Sequence, residues 1–166
     1  MKTITRLFAF ISLVCLAGCG DGLTPEERLA ERQTAHAARV AEVEALQPIE
    51  INYPEISSVL HWESSSNEIQ KERMIERLEG QVVELLVNAI DVSISDSDLG
   101  TYEVEGGDIS GYKFKITITP TTESERSYIE NLNYPKSLRF KGRVTRAENR
   151  IGGVAYVEDA VLTEMF

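Results

Sequence analysis

The chain has 166 residues, of which 42% are hydrophobic, 7% aromatic and 27% charged, with 11 Gly, 5 Pro and 2 Cys. This is the composition of a globular protein and excludes collagen-like, disulfide-rich and low-complexity classes. Seventeen Lys and Arg against 27 Asp and Glu give a formal charge of −10. That argues against a general nucleic-acid binder, because non-specific affinity for phosphate needs net cationic surface.

Lys2 and Arg6 make a short cationic start, and the ten residues Leu7 to Leu16 are apolar except for Ser12. These are the charged and apolar regions of an export signal, too short for a bilayer span of about 20 residues. The run ends in Leu16-Ala17-Gly18-Cys19, which resembles a bacterial lipobox; an ordinary secretory signal with incidental cysteines is the alternative. The resemblance implies that residues 1–18 are a removed signal peptide. Cys19 then becomes the N-terminus, carrying a diacylglyceryl thioether and an amide-linked acyl chain. Cys15 would leave with the signal, so the mature chain would have no thiol, no disulfide and, without Lys2 and Arg6, a charge of −12. One acyl chain binds membranes only marginally, whereas two or three hold a protein firmly. Gly20 stands where, by resemblance to enterobacterial sorting, Asp would retain the protein at the inner membrane. A periplasm-facing lipoprotein, at the outer membrane rather than the inner, is the expectation.

Residues 19–48 read as the lipidated N-terminus and a helical stalk. Thr24-Pro25-Glu26-Glu27 supplies a hydroxyl cap, a proline in the first turn and anions at the positive end of the helix dipole. No Gly or Pro follows before Leu46, and alanine recurs at 30, 35, 37, 38, 41 and 45, so helix propensity is high. Only Leu29, Val40, Val43 and Leu46 are bulky, and Arg32, His36 and Arg39 interrupt their stripe. The segment reads as a solvated spacer holding the following domain roughly 35 Å from the anchor; a weak coiled coil or partner-binding helix is the alternative. Pro48 and Pro54 break the pattern.

Residues 49–166 form the domain. Ser64 to Asn67 offer caps for a helix from Glu68 to Glu79, which Gly80 ends. Val82–Ile94 and Thr101–Glu105 read as strands. Tyr112, Phe114, Ile116 and Ile118 alternate with polar residues until Pro120, which marks a third. A short helix follows over Thr121–Leu132. Leu138, Phe140, Gly142 and Val144 then alternate with Arg139, Lys141, Arg143 and Thr145, and a last strand runs through Val154, Tyr156, Val157, Ala160 and Leu162.

Three strands, a helix and two strands, preceded by an extra helix, resemble the OB-fold, a five-stranded Greek-key barrel. Leu78-Glu79-Gly80-Gln81-Val82-Val83, Leu138-Arg139-Phe140-Lys141-Gly142-Arg143-Val144 and Val157-Glu158-Asp159-Ala160-Val161 look like the tRNA-anti-like OB domains of bacterial envelope proteins. One departure is a first strand without a mid-strand glycine. The expected architecture is therefore mainly β with helices: an OB-like barrel preceded by a helix and the N-terminal stalk.

No catalytic constellation is readable, and the chain is not expected to be an enzyme. His61 with Glu63 does not make a zinc ligand set, no Gly-x-Ser-x-Gly elbow is present, and the glycine pairs 106–107 and 152–153 suit hairpin turns. Asp91, Asp96 and Asp98 would suit calcium by type but not by spacing, so no metal or cofactor is expected. The sharpest electrostatic feature is Lys136 to Arg150, whose six cations against Glu148 give +5 within an acidic chain. Arg139, Lys141 and Arg143 share one strand face. With Arg146, Arg150 and Tyr112 they form the candidate binding surface, suited to an anionic polymer, a phosphorylated headgroup or an acidic protein; side chains pairing with the chain's own carboxylates are the alternative. The functional expectation is a membrane-anchored, non-catalytic periplasmic binding module for another envelope component, with no nucleic-acid partner. An assembly subunit that contacts its partners through the stalk helix is the alternative.

Overall fold

The computed structural model describes residues 23–109, 111–133, 135–149 and 153–166. The expected signal peptide (1–18), Cys19 and Arg150 lie outside the described residues. The elements in chain order are α1 (Pro25–Ala45), α2 (Tyr53–Leu60), α3 (Glu68–Leu78), β1 (Val82–Asp96), β2 (Thr101–Gly107), β3 (Lys113–Ile118), α4 (Glu123–Glu130), β4 (Ser137–Ala147) and β5 (Val154–Met165). The strands close into a barrel in the order β1-β2-β3-β5-β4. Every pairing is antiparallel except that of β3 with β5. This is the five-stranded, OB-like barrel expected, with α4 between the third and fourth strands.

Alternation along the strands sets the core. Val83, Leu85, Val87 and Ala89 of β1 face inward with Phe114, Ile116 and Ile118 of β3 and Leu138, Phe140 and Val144 of β4. Ile56 and Leu60 of α2, Met74 and Leu78 of α3 and Ile129 of α4 join the same cluster. The aromatic rings chain through it: Tyr53 to Phe114 at 6.0 Å, Tyr112 to Phe114 at 5.7 Å and Phe114 to Phe140 at 6.5 Å between centroids, within the range of favourable tilted and edge contacts.

The bend that β1 needs to serve two sheet neighbours comes from register shifts at Ala89/Asp91 and Ile94/Asp96 rather than from a glycine. A bulge adds a residue and sharpens the local twist. The glycines stand instead on the facing strands. A Cβ on Gly106 of β2 would come within 2.6 Å of Val87, and one on Gly142 of β4 within 2.4 Å of Val157 and 2.8 Å of the Ala160 methyl.

Two features depart from expectation. Pro54 does not merely break a pattern. It sits in the first turn of α2, whose cap is Asn52 accepting from the Glu55 N–H at 2.9 Å, and proline is tolerated there because first-turn N–H groups lack intrahelical partners. The second departure is α1. Its Thr24–Glu27 capping box forms as expected, but the helix is not a free spacer: it lies against β4 and β5. Val40 and Val43 are buried, as is Val161 of β5, all outside the main core cluster. No helix among the described residues is long and apolar enough to cross a membrane.

Candidate functional site

The cationic strand face exists as the alternation requires. Arg139, Lys141 and Arg143 point outward from β4 while Leu138, Phe140 and Val144 point in. Arg139 pairs with Glu164 of β5 at 3.0 Å, and Arg143 with Glu42 of α1 at 2.7 Å. Lys141 donates through Nζ to the Glu44 carbonyl at 2.7 Å. Arg146 pairs with Glu148 and lies 5.5 Å over the Tyr156 ring. The stripe is thus engaged by the chain's own carboxylates and by the C-terminal turns of α1. A lysine donating to a late helical carbonyl also meets the negative end of the helix dipole.

Tyr112 does not belong to this surface. Its side chain is 1% exposed and packs inside the barrel, where burial raises its phenol well above the ordinary range. Sequence alternation placed it on the strand's apolar side, and the barrel wall separates that side from the cations.

A second polar constellation lies farther up α1. His36 Nε2 is 2.8 Å from Thr119 Oγ1, and its Nδ1 is 3.3 Å from Asp159 Oδ1. Arg39 Nε donates to Asp159 Oδ2 at 3.1 Å. Arg32 reaches Asp96 at 2.6 Å, and Gln33 donates to the Asp98 carbonyl at 3.0 Å. Asp159 stands at φ 51°, the only non-glycine with positive φ among the described residues. That left-handed geometry at a β5 register shift turns its carboxylate out of the sheet toward α1. Aspartate tolerates it better than most side chains.

The three aspartates do not share one loop: Asp91 lies within β1 opposite Glu105, Asp96 ends that strand, and only Asp98 stands in the turn to β2. Asp96 accepts from the backbone N–H groups of Asp98 at 2.9 Å and Leu99 at 3.2 Å. The Leu99 N–H is the main cause holding its carboxyl below the ordinary range, with Asp98 N–H and Arg32 adding to it. Among the described residues no group of three or more His, Cys, Asp or Glu is placed to hold a metal ion.

His61 lines a cleft of about 430 Å³ with Tyr53, Ser57, Glu63 and Asp108. Its Nδ1 accepts from the Glu63 backbone N–H at 3.0 Å. The Tyr53 hydroxyl donates to the Tyr112 carbonyl and accepts from the Asp108 N–H, both at 2.9 Å; burial chiefly, then the Asp108 charge, raises its pKa. Asp108 is exposed, so this cleft lacks the buried carboxylate that would orient and activate a histidine base.

The sequence reading missed Arg39, Thr119, Glu42 and Asp159 as partners that fix α1. One signal was present: Leu29, Arg32, His36, Arg39, Val40 and Val43 recur at helical spacing on one face.

No protein-family model matches the chain, and no curated protein matches it. Ten solved chains match it by structure. One of them is the "putative aspartyl-tRNA synthetase from Leishmania major Friedlin", at 9% identity and a TM-score of 0.36 over 78% of this chain. This chain spans 26% of the length of that protein.

Proposed function

We propose that the chain is a lipid-anchored periplasmic lipoprotein whose OB-like barrel is a non-catalytic binding module for another component of the bacterial envelope. The observation that carries this reading is the position of α1. Its cap, Thr24, follows Cys19 by five residues, and the helix is fastened to the barrel from Arg32 onward. Five residues span at most about 17 Å, and the helix from Thr24 to Arg32 adds about 12 Å. An acyl anchor on Cys19 would therefore keep the Asp96–Gly100 turn within roughly 30 Å of the bilayer surface. It would do so because α1 is docked on the barrel from Arg32 onward rather than free. Such an arrangement suits recognition at a membrane surface, and the Leu16-Ala17-Gly18-Cys19 segment supplies the chemistry of attachment.

The test is metabolic labelling with a palmitate analogue together with intact-mass measurement. Label on the wild type, none on Cys19→Ala and a product lacking residues 1–18 are expected. An unlabelled wild type, or a mass that includes the opening eighteen residues, overturns the anchor and with it the compartment.

The assembly-subunit reading retains one supporting observation: apart from Leu29, His36, Val40 and Val43, the residues of α1 are exposed. Photo-crosslinking side chains placed at Glu31 of α1 and at Ser93 of β1 separate the two. Envelope adducts from Glu31 alone favour the assembly subunit, and adducts from Ser93 the barrel module.

A further inference from the structure

We propose that the distal half of β1 is a strand-addition site for an extended, lysine-bearing apolar segment of a partner protein. The proposal rests on the reading of the barrel as a binding module, and it is independent of the anchor. On one edge β1 pairs with β4 only from Val82 to Asn88, where the register runs out at Ser137. Ala89 then donates to the Lys136 carbonyl at 2.8 Å. Beyond that point β1 continues to Asp96 with β2 on its other side. Among the described residues no strand covers the edge from Ile90 to Asp96. Alternate backbone N–H and C=O groups there face away from β2, and a row of such groups is a ready template for another strand.

Side chains beside the edge give it a floor and a charge. A groove of about 490 Å³ lies along Ile90 to Ile94 and is closed by Tyr102, Leu132 and Asn133. Val92 and Ile94 stand opposite Val104 and Tyr102 of β2 in the register. They carry the barrel's inner, apolar face past the point where β4 stops. Ile94 is 68% exposed, leaving apolar surface that an added strand would bury. The charged residues of the groove lining are Asp91 and Glu130, both exposed, with no cation among the lining residues. Glu130 accepts from the Tyr102 hydroxyl at 2.5 Å, beside the Arg126 guanidinium, so Asp91 is the carboxylate of the groove that faces an incoming cation.

An added strand would satisfy the main-chain groups of the edge. Its alternate apolar side chains would lie on Val92, Ile94 and Leu132, and lysines alternating with them would point to the opposite face of β1, where Asp91 stands. A second copy of this chain fits less well. Edge-to-edge pairing would bring Asp91 and its neighbouring carboxylates together between two chains that each carry −10.

The probes are four blocked eight-residue peptides: one alternating lysine and valine, one alternating glutamate and valine, and two lysine–valine peptides N-methylated on one or the other alternate set of backbone nitrogens. Binding to the purified full chain is followed by fluorescence anisotropy and by hydrogen exchange of the β1 amides. The lysine–valine peptide is expected to bind and to slow exchange at residues 90–96. At least tenfold weaker binding is expected for the glutamate peptide, for the N-methylated register whose blocked nitrogens face the edge and for the exposed variant Ile94→Lys. Equal binding of both N-methylated peptides and the parent overturns strand addition. A dimer in sedimentation that protects the same amides without peptide overturns the choice of partner in favour of a second copy. Failure of every peptide overturns this inference but leaves the palmitate label and envelope adducts untouched, so the two readings fail separately.

Discussion

If α1 is part of the folded unit rather than a spacer, Asp159 is the residue whose replacement should release it. Its carboxylate holds Arg39 at 3.1 Å and stands 3.3 Å from His36. A charge-assisted hydrogen bond contributes about 1.5–3 kcal/mol where water is excluded. Arg39 is 53% exposed, so solvent screening reduces its share to about 1 kcal/mol. His36 and Asp159 are both nearly buried, and stripping the histidine of that neighbour costs about 1 kcal/mol more. Asp159→Ala should therefore destabilise by about 2 kcal/mol. The backbone supplies an internal control. At φ 51° alanine suffers left-handed strain of about 1–2 kcal/mol that glycine escapes, offset by glycine's extra unfolded-state entropy of about 0.4–1 kcal/mol. Asp159→Gly should thus be more stable than Asp159→Ala by about 0.5–1 kcal/mol, although both lack the carboxylate. Asp159→Asn, which tolerates the same backbone and keeps an acceptor for Arg39, should be the mildest. Urea unfolding gives the ranking, and native-state hydrogen exchange of amides 32–45 shows whether α1 has come loose. Unchanged exchange in the alanine variant, or a glycine variant no more stable than it, would refute the account of how α1 is held.

Three further outcomes are expected. Arg143→Glu should speed exchange in the last turns of α1 by setting a carboxylate against Glu42. The loss should be about 1 kcal/mol because both groups are partly solvated, and Glu42→Lys in the same chain should restore protection. Gly142→Ala should lower the melting midpoint by a cost of about 1–3 kcal/mol, because its methyl would meet Val157 and Ala160 inside the barrel; calorimetry reads this directly. Tyr53, Tyr102 and Tyr112 all have phenols raised above 10.0, Tyr53 and Tyr112 chiefly by burial and Tyr102 chiefly by its bond to Glu130. Their contribution to stability is fully present below the unfolded value and is lost as pH rises through the higher folded values. Absorbance at 295 nm should show a late-titrating component, and Tyr112→Phe should remove its last part.

The barrel was legible because strands half-buried in a single core leave a period-two pattern. Phe114, Ile116 and Ile118, or Leu138, Phe140 and Val144, can hardly be read otherwise. Less legible was the exact end of β1, which runs two residues past Ile94 to Asp96 because the Asp96 carboxylate caps the following turn. The helix α2 was missed since Pro54 reads as a breaker until the Asn52 cap is seen. The cations Arg139, Lys141 and Arg143 share one face of β4, as their alternation predicts. What covers that face depends on contacts 97 and 101 residues apart, Lys141 to Glu44 and Arg143 to Glu42, and local spacing carries no trace of them. Tyr112 illustrates the same limit. It stands just before β3 rather than in it, and only barrel closure sets its ring inside the wall against Phe114.

The interruption that made α1 look like a spacer is what gives its docking a register. Three buried valines, Val40, Val43 and Val161, contribute about 1.5–3 kcal/mol apiece at most. That attraction is non-directional: a smooth apolar stripe of this size could slide by a turn along β5 at little cost. Arg32, His36 and Arg39 cannot slide, because each meets a separate barrel group, Asp96, Thr119 or Asp159. A one-turn shift of about 5.4 Å would leave His36 and Asp159 desolvated without partners. Polar residues at 32, 36 and 39 thus weaken the hydrophobic signature of the helix while fixing the position in which it binds. In the same way Lys141 and Arg143 of β4 meet α1 at Glu44 and Glu42, where the helix ends.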